Sequence, residues 1–427
     1  MKKLLFITLA AILVLSVSLV GCGEVPPEPE EYDLTVSSGL GGDVTSPTEG
    51  THTYEEDDVV NLVATPFTEY DFVEWTGDVS TVADVNDPST TVTMNGDYEI
   101  EATFEWGGGD WTDETVLTFH CTAGETASLW LLVYKTWKEA VEADAGPDGG
   151  TFNFTVTFGE SPYTPEDSLT ALSDGIVDVG QLSTDTFNLG AIGYLPFIFG
   201  MESAAYVTHY IYEEGWDVLG ELDDVHMLLG SPLQPAQWWG AFNITVLADL
   251  AGLDVRAEGA EVPIIDALGA NPVEVGTADL YNALDTGLVD GCFFTYSGGA
   301  FWLQLWQVCS YLSEVNLVLP RYMLAMHREA YEGLHPDARA LLDEHSTAAV
   351  SVALAAAHKA GQAGAKGFLA GKGLFPYIVP SGELDNWKAA CDPVFDDFVD
   401  DLDDLGFDGQ GILDRVEALI AEYEALP

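Results

Sequence analysis

Arg256 is the residue of this sequence with the clearest chemical potential, because it stands alone among acidic and apolar neighbours in the stretch DLAGLDVRAEG. Toward the N-terminus the nearest Lys or Arg is Lys138, and toward the C-terminus it is Arg321. A guanidinium is planar, permanently charged and able to hold both oxygens of a carboxylate at once. The isolation of Arg256 therefore predicts a carboxylate-binding site. The alternative is a surface arginine paired with Asp254 or Glu258, a contact that contributes about 0–1 kcal/mol.

Patterns for other kinds of chemistry are weak. The eight histidines show neither an HExxH motif nor a pair at metal-ligand spacing. The segment GAKGFLAGKG lacks the spacing of a P-loop. In DDFVDDLDDLGFDGQG, Leu405 and Ile412 stand where an EF-hand needs calcium ligands, which favours a solvated acidic helix face. We therefore expect no metal and no cofactor, and a binding protein in preference to an enzyme.

The charge balance excludes several classes of partner. The 427 residues include 13 Lys plus Arg against 71 Asp plus Glu, a formal net charge of -58. Nucleic-acid binding needs clustered cations, so it is excluded, as is adsorption to anionic lipid. Such a surface suits high salt, where self-repulsion is screened, although an acidic exported protein at ordinary salt fits as well.

The N-terminus predicts export and lipid attachment. The first 22 residues, MKKLLFITLAAILVLSVSLVGC, combine two lysines, an apolar run and a small residue near the end, as a secretory signal does. The ending LVGC resembles the bacterial lipobox, which implies removal of residues 1–21 and lipidation of Cys22; an uncleaved anchor is the alternative. No later run reaches the ~20 apolar residues that span a bilayer. We therefore expect an extracytoplasmic protein, periplasmic or at the cell surface, that touches the membrane only through its lipid.

The remaining cysteines leave the disulfide state open. Export permits disulfides, and four thiols allow three full pairings, with buried free thiols at least as compatible. These cysteines are Cys121, Cys292, Cys309 and Cys391.

Residues 22–31 read as a proline-rich acidic linker, and residues 32–106 alternate apolar and polar side chains as β-strands do. Turn residues such as Asn95-Gly96 separate the strands. With GGDVTSP, GTHTYEEDDVVNLVATP, FVEWTGD and YEIEATF in order, this segment resembles a divergent internalin-type B repeat, a bacterial surface module. The resemblance implies a stalk or a weak adhesion module without catalytic residues.

A Gly-rich linker at residues 107–112 precedes a main domain, residues 113–427, in which strands alternate with helices. VLTFHC, TFNFTVTF and IVDVGQLS read as strands, and PEDSLTALSDG as a helix that begins at Pro165 and ends at Gly175. This alternation predicts parallel sheets covered by helices. We further expect single long helices over residues 335–371, 383–405 and 411–426.

Several motifs of this domain occur together in one known family. They are DLAGLDVRAEG, then LGA, then DLYNALDTGLVDG up to Gly291, with LTALSDGIVDVGQLSTDTF and LPFIF upstream and REAYEGLHPDARALLDE downstream. Together they resemble the solute receptors of TRAP (tripartite ATP-independent periplasmic) transporters, the DctP family. The resemblance implies an α/β clamp of two lobes, periplasmic-binding-protein-like, with a hinge and long C-terminal helices. It also implies a small organic acid as solute and the small and large permease subunits as partners.

The resemblance assigns ligand-binding roles residue by residue. Arg256 matches the family's carboxylate-binding arginine. Phe294 stands three residues after the Gly of Val-Asp-Gly, where the family often has an asparagine. The Glu-Trp pair that binds a metal-bridged keto acid in some relatives is absent. The other candidates are Trp238, Trp239, Phe293, Tyr296, Thr122 and Ser183. For the aromatic residues, packing in the core or at the hinge is the alternative. One arginine among aromatic residues predicts a monocarboxylate with an apolar or aromatic body.

We therefore predict a lipid-anchored receptor that binds an organic acid and delivers it to a membrane permease without chemistry on the solute. A surface-binding or sensory protein that uses the same clamp for detection is the main alternative, and an unrecognised hydrolase is a third.

Overall fold

The structure, a computed structural model, describes residues 30–184, 188–213 and 220–426. The chain divides into two compact units between Gly107 and Gly108. The predicted signal peptide and Cys22 lie outside the described residues. Within those residues, no helix is both long enough and apolar enough to cross a membrane.

The first unit is all-β, as predicted, and packs two sheets around one core. Its four-stranded sheet has the order β3-β1-β7-β5, and its three-stranded sheet has the order β2-β4-β6. Alternate residues of each strand point inward, for example Leu34 of β1 and Leu62 of β4. Trp75 is buried among them, and its Nε1 donates to the Asp87 carbonyl at 3.0 Å. The strands are β1 (Glu31–Ser38), β2 (Gly42–Ser46), β3 (Gly50–Glu55), β4 (Val59–Pro66), β5 (Tyr70–Gly77), β6 (Ser89–Thr93) and β7 (Tyr98–Trp106).

The second unit contains eleven further strands and eleven α-helices among its described residues. The strands are β8 (Glu114–Cys121), β9 (Thr151–Phe158), β10 (Val179–Ser183), β11 (Val225–Pro232), β12 (Ala236–Gly240), β13 (Asp254–Ala257), β14 (Asn271–Glu274), β15 (Gly291–Thr295), β16 (Tyr311–Glu314), β17 (Arg321–His327) and β18 (Tyr377–Ile378). The helices are α1 (Lys135–Ala143), α2 (Ser168–Ser173), α3 (Met201–Glu213), α4 (Glu261–Ala267), α5 (Leu280–Thr286), α6 (Arg328–Glu332), α7 (Pro336–Glu344), α8 (Ala348–Gly371), α9 (Ser381–Ala390), α10 (Asp392–Asp404) and α11 (Gly409–Glu424).

Two sheets define two lobes in this unit. The first lobe is built on the order β11-β17-β10-β8-β9, and the second on the order β14-β13-β15-β12-β16-β18. Apolar clusters cover both faces of each sheet. The prediction of parallel sheets is wrong in detail: β17 runs antiparallel to both β10 and β11, and β12 runs antiparallel to β15 and β16. The first sheet is mixed because β17, from late in the chain, returns to the first lobe and fills a central position. The second sheet is mixed because β12 lies between β15 and β16 and runs antiparallel to both.

The lobes are joined by two chain segments that hydrogen-bond to each other. Leu233 N donates to the Pro320 carbonyl at 2.8 Å, and Ala236 N donates to the Val318 carbonyl at 2.9 Å. These segments continue β11 and β17 of the first lobe toward the second. A short paired connection of this kind bends at few residues, as a hinge requires.

The C-terminal helices pack on both lobes; the helix predicted over residues 411–426 is present as α11 (Gly409–Glu424), but the other two predicted helices are each divided. Instead of one helix over residues 335–371, α7 ends at Glu344 and α8 starts at Ala348, where the Thr347 hydroxyl accepts from Val350 N and caps the new helix. The predicted helix over residues 383–405 also divides, because Pro393 lacks an N–H and fits only in the first turn of α10. Along α10, Val394, Phe398 and Leu402 are buried while its aspartates are exposed, which confirms the solvated acidic face.

Candidate functional site

Arg256 lies on β13, between β14 and β15, and its side chain is buried. Nε donates to the Val275 carbonyl at 2.9 Å, and Nη2 donates to the Thr277 hydroxyl at 2.8 Å. Nη1 donates to Glu261 Oε2 at 2.7 Å, and Nη2 also donates to the Glu258 carboxylate. The guanidinium is therefore fixed in one plane, with its charge balanced by two carboxylates.

The two glutamates differ in their exposure. The Glu261 side chain is 15% exposed and also accepts from Glu258 N at 3.1 Å, so it belongs to the fixed frame of the site. The Glu258 side chain is 51% exposed. An exposed carboxylate regains most of its hydration when it leaves an arginine, whereas a buried one does not. Glu258 is thus the partner that can be exchanged at low cost.

A small cavity adjoins this ion pair. Its volume is about 10 Å³, room for one water-sized molecule. The lining residues are Arg256, Glu261, Ile264, Ile265, Phe293, Leu317 and Val318. Leu317 and Val318 belong to a segment that joins the lobes, and they pack with Phe293 in one cluster of the second lobe.

The aromatic candidates fall into a partly buried and a fully buried group. Phe294, near the end of β15, is partly buried, and its ring lies 6.3 Å from the Trp302 ring. Tyr296 is fully buried and donates its hydroxyl to Glu314 Oε2 at 2.8 Å; burial raises the Tyr296 pKa further above its ordinary value, as does the Glu314 contact. Lys366 donates to the same oxygen at 2.7 Å and lies over the Tyr296 ring. Phe294 is therefore the aromatic candidate with the most accessible ring.

Trp238, Trp239 and Phe293 form the core beneath this edge. Trp238 packs against Phe293, ring centroids 5.5 Å apart, in the cluster on one face of the sheet. Trp239 enters the cluster on the opposite face and donates Nε1 to the Phe294 carbonyl at 3.1 Å. Because both tryptophans are fully buried, their evident role is to hold β12 and β15 in position.

Thr122 and Ser183 lie on the other lobe. Thr122 follows β8 and Ser183 ends β10, at the carboxyl edge that these parallel strands share. Gln181 Oε1 fixes the same edge by accepting from Cys121 Sγ at 3.1 Å and from Ala123 N at 3.4 Å. The eight ligand-binding candidates are thus divided between the two sheets, as a clamp requires, with six on the second lobe.

Sequence reasoning missed a second buried arginine, Arg321, at the start of β17. It is 3% exposed, Nη1 donates to the Thr208 hydroxyl at 3.1 Å, and Nε has no hydrogen-bond partner. Burial lowers its pKa to about 10. The signal that could have identified it is scarcity, because Arg256 and Arg321 are the sole Lys or Arg residues between Lys138 and Arg328.

The cysteines and acidic residues suggest no further site. Cys121, Cys292, Cys309 and Cys391 are buried and free, and burial raises the pKa of each thiol. In the part of the chain that the structure describes, no group of three or more His, Cys, Asp or Glu residues has the geometry to hold a metal ion.

Comparison with known proteins identifies two regions. Residues 127–401 match the family model for bacterial extracellular solute-binding proteins, family 7, and residues 32–107 match the divergent InlB B-repeat domain. The first range covers well over half of the chain.

Solved structures share the fold of the second unit. A TRAP solute-binding protein from Rhodoferax ferrireducens T118, in complex with benzoate, is 24% identical over 73% of this chain and 98% of that chain, with a TM-score of 0.65. A marine metagenome TRAP solute-binding protein specific for aromatic acids, in complex with 3-hydroxybenzoate, is 20% identical over 73% and 99%, with a TM-score of 0.65. A Bordetella pertussis extracytoplasmic solute receptor that binds pyroglutamic acid is 20% identical over 71% and 99%, with a TM-score of 0.57.

Proposed function

Because the chain belongs to family 7 of the bacterial extracellular solute-binding proteins, we propose that it is the solute receptor of a TRAP transport system, which binds an organic acid and passes it to the membrane permease. In this proposal the lipid on Cys22 holds the receptor at the outer face of the membrane. The permease would consist of a small and a large subunit and would use an ion gradient. The receptor would change only the location of the acid.

The observation that carries the proposal is the contact between the buried Arg256 guanidinium and the half-exposed Glu258 carboxylate. This contact supports the proposal because a carboxylate of the chain already lies against Arg256 Nη2, on a side chain that is half exposed. Phe293 lines the small cavity beside Arg256 and supplies apolar surface there. The minimal solute that this site supports is a monocarboxylate with an apolar or aromatic body, consistent with the benzoate and 3-hydroxybenzoate in two similar structures.

Capture would proceed by carboxylate exchange. The solute carboxylate replaces Glu258 on Nη2, Glu258 turns into solvent, and Glu261 keeps the guanidinium in place through Nη1. Arg256 then keeps two carboxylate partners, which avoids the cost of several kcal/mol for an unpaired buried arginine. Closure of the lobes at the paired segments would bring Thr122 and Ser183 to the other side of the solute.

The test is a thermal-shift and calorimetric screen of the purified full chain against aliphatic and aromatic monocarboxylates, with Arg256→Ala and the control Arg415→Ala. Arg415 lies on α11, where it pairs with the exposed Glu422. We expect one acid class to raise the melting temperature of the wild type and of Arg415→Ala, with the shift lost in Arg256→Ala. Binding that survives Arg256→Ala would move the anchor elsewhere, and the absence of binding by any acid would reject the proposed solute class.

A further inference from the structure

Exposed aromatic side chains are concentrated on the second lobe. Among the described residues, the first lobe and the β-repeat unit expose large apolar side chains that are all aliphatic, such as Val59, Val116 and Ile176. Isolated apolar residues of this kind are usual on protein surfaces. The exposed aromatic side chains of the described residues all belong to the second lobe and are Phe242, Phe301, Trp302, Tyr311, Phe375 and Tyr377. Local enrichment in aromatic residues is typical of a protein–protein interface.

Four exposed side chains near the C-terminal end of α8 form a surface that we call the apolar face. It consists of Phe301, Trp302, Phe375 and Ile378. The Phe301 ring lies 5.1 Å from the ring of Phe368 on α8, and Lys372, which follows this helix, lies over the rings of both Phe368 and Trp306. Leu374, the residue before Phe375, packs in the same cluster as Phe368 and Trp306. Phe301 and Phe375 therefore both adjoin the end of α8.

Ile378 extends the apolar face to the edge of the second-lobe sheet. It pairs with Glu314 of β16, and Glu314 Oε2 accepts from Lys366 of α8 at 2.7 Å. Paired residues project their side chains to the same side of a sheet, so Ile378 is on the side that α8 covers. Because β18 is the last strand in the sheet order, Ile378 carries the face to the outer edge of the sheet.

The two segments that form the apolar face contain no acidic residue. Residues 291–313 lack Asp, Glu, Lys and Arg, and residues 345–382 contain three lysines but no Asp or Glu. The whole chain has 71 Asp plus Glu and a formal net charge of -58, so two copies repel each other over most of their surface. A face without carboxylates, with the charge of Lys372 beside it, is the surface at which two copies meet with the least repulsion.

The apolar face also has the area that a dimer contact needs. Its side chains are 51% (Phe301), 67% (Trp302), 69% (Phe375) and 69% (Ile378) exposed, which leaves on the order of 500 Å² uncovered at about 200 Å² for each large side chain. A stable interface buries about 800 Å² on each partner, and about 65% of a homodimer interface is apolar. The apolar face supplies that apolar share, and a polar rim would supply the remainder.

We propose that a second copy of this chain docks on the apolar face and that the protein is a dimer joined through its second lobes. Pro376 and Pro380, on either side of β18, lack the N–H groups that a continuous intermolecular sheet would use, so side chains form the contact. The face lies at the β18 end of the sheet order, whereas Arg256 lies on β13 toward the other end. Each copy therefore keeps its own carboxylate site, and the inference is independent of the proposed function.

The experiment measures the oligomeric state by sedimentation equilibrium and light scattering at about 0.1 M and about 1 M salt. The protein is the purified chain from residue 23, which retains every described residue and excludes association through a lipid. The variants are Phe375→Ser, Ile378→Ser and the double variant. Phe242→Ser is the matched control, because it removes an exposed aromatic side chain of the same lobe outside the apolar face.

We expect the wild type and Phe242→Ser to be mainly dimeric at about 50 µM chain and about 1 M salt, with a dissociation constant at least tenfold higher at about 0.1 M salt, where repulsion is less screened. Phe375→Ser and Ile378→Ser should each weaken dimerisation at least tenfold, and the double variant should be monomeric. Should Ile378→Ser fail to fold, Phe375→Ser decides the question, since Phe375 lies outside the strands.

Two results would overturn the inference. A wild type that is monomeric at both salt concentrations excludes a second copy as the occupant of the apolar face. Variants of the face that dimerise as tightly as the wild type place the contact elsewhere. Carboxylate binding by Phe375→Ser and Ile378→Ser should equal that of the wild type, so the failure of either proposal leaves the other standing.

Discussion

At the scale of single residues, affinity for a carboxylate depends on competition at Arg256. Nη2 of this arginine is held by Glu258, whose side chain is half exposed, and by Thr277. A solute must displace the Glu258 carboxylate, so the free energy of that internal contact is subtracted from the free energy of binding. Exposed ion pairs contribute about 0–1 kcal/mol, so the subtraction is modest.

Replacing Glu258 by Gln should therefore strengthen carboxylate binding by about threefold to tenfold, since about 1 kcal/mol of competition is removed. Calorimetric titration of a monocarboxylate identified in the screen would measure the change. The matched variant Glu261→Gln should weaken binding instead, because Glu261 fixes the plane of the guanidinium through Nη1. Unchanged or weaker binding by Glu258→Gln would show that Glu258 does not occupy the solute position.

At the scale of secondary-structure elements, α8 connects the two lobes. Leu354 packs in a first-lobe cluster, whereas Ala365 and Leu369 pack in a second-lobe cluster. Between them, His358 is buried with Nδ1 3.3 Å from the Pro232 carbonyl and Nε2 3.0 Å from Ser128 Oγ. A carbonyl only accepts, so Nδ1 carries the proton and Nε2 accepts from the serine. The neutral ring is thereby fixed where β11 ends and the connection between the lobes begins.

This histidine should make the unfolding free energy depend on pH. Burial lowers the pKa of His358 from 6.5 to about 4. Between these values the unfolded chain binds a proton that the folded chain does not, so stability is lost as pH falls from about 6.5 to 4, by up to about 3 kcal/mol. His358→Asn should show a shallower decline over that window in urea unfolding.

The partly exposed His345 provides the control for this experiment, because His345→Asn removes a histidine that is not fully buried. Equal slopes for the wild type and His358→Asn between pH 6.5 and 4 would contradict the prediction.

At the scale of the whole molecule, the charge of -58 opposes the approach of an acid. The two cations of residues 139–327, Arg256 and Arg321, are both buried, so they act at short range while the acidic surface acts at long range. Salt shortens that range, from about 10 Å at 0.1 M to about 3 Å at 1 M. Screening should therefore favour encounter with an anion more than it weakens the buried contacts.

The association rate of a monocarboxylate should accordingly rise severalfold between about 0.1 M and 1 M salt. Stopped-flow measurement of tryptophan fluorescence would detect the change, since the chain contains 11 tryptophans. A dicarboxylate serves as the internal comparison, because twice the charge should give a steeper salt dependence. A rate that falls with salt would mean that the local field of the arginines dominates the approach.

Much of the architecture follows from patterns that are local in the sequence. Alternation over residues 151–158 predicted a strand, and β9 spans Thr151–Phe158. The helix predicted between Pro165 and Gly175 is present as α2, with Gly175 in the left-handed region at its end. These predictions are correct because side-chain periodicity and backbone preferences act within a few residues. The ordered motifs likewise identified the family.

What the sequence determined by itself was the β-repeat unit, the α/β class of the main unit and the family; the ligand-binding role of Arg256 stays a prediction. The tertiary structure alone decided which partners each charge has. Glu258 is close to Arg256 in sequence, but Thr277 and Val275 reach it only through the packing of β14 against β13. The burial of Arg321 depends on the return of β17 into the first sheet and on Thr208 of α3. Such contacts join residues that are far apart along the chain, and hydrophobic patterns specify which face is buried but not which side chain will meet a buried charge.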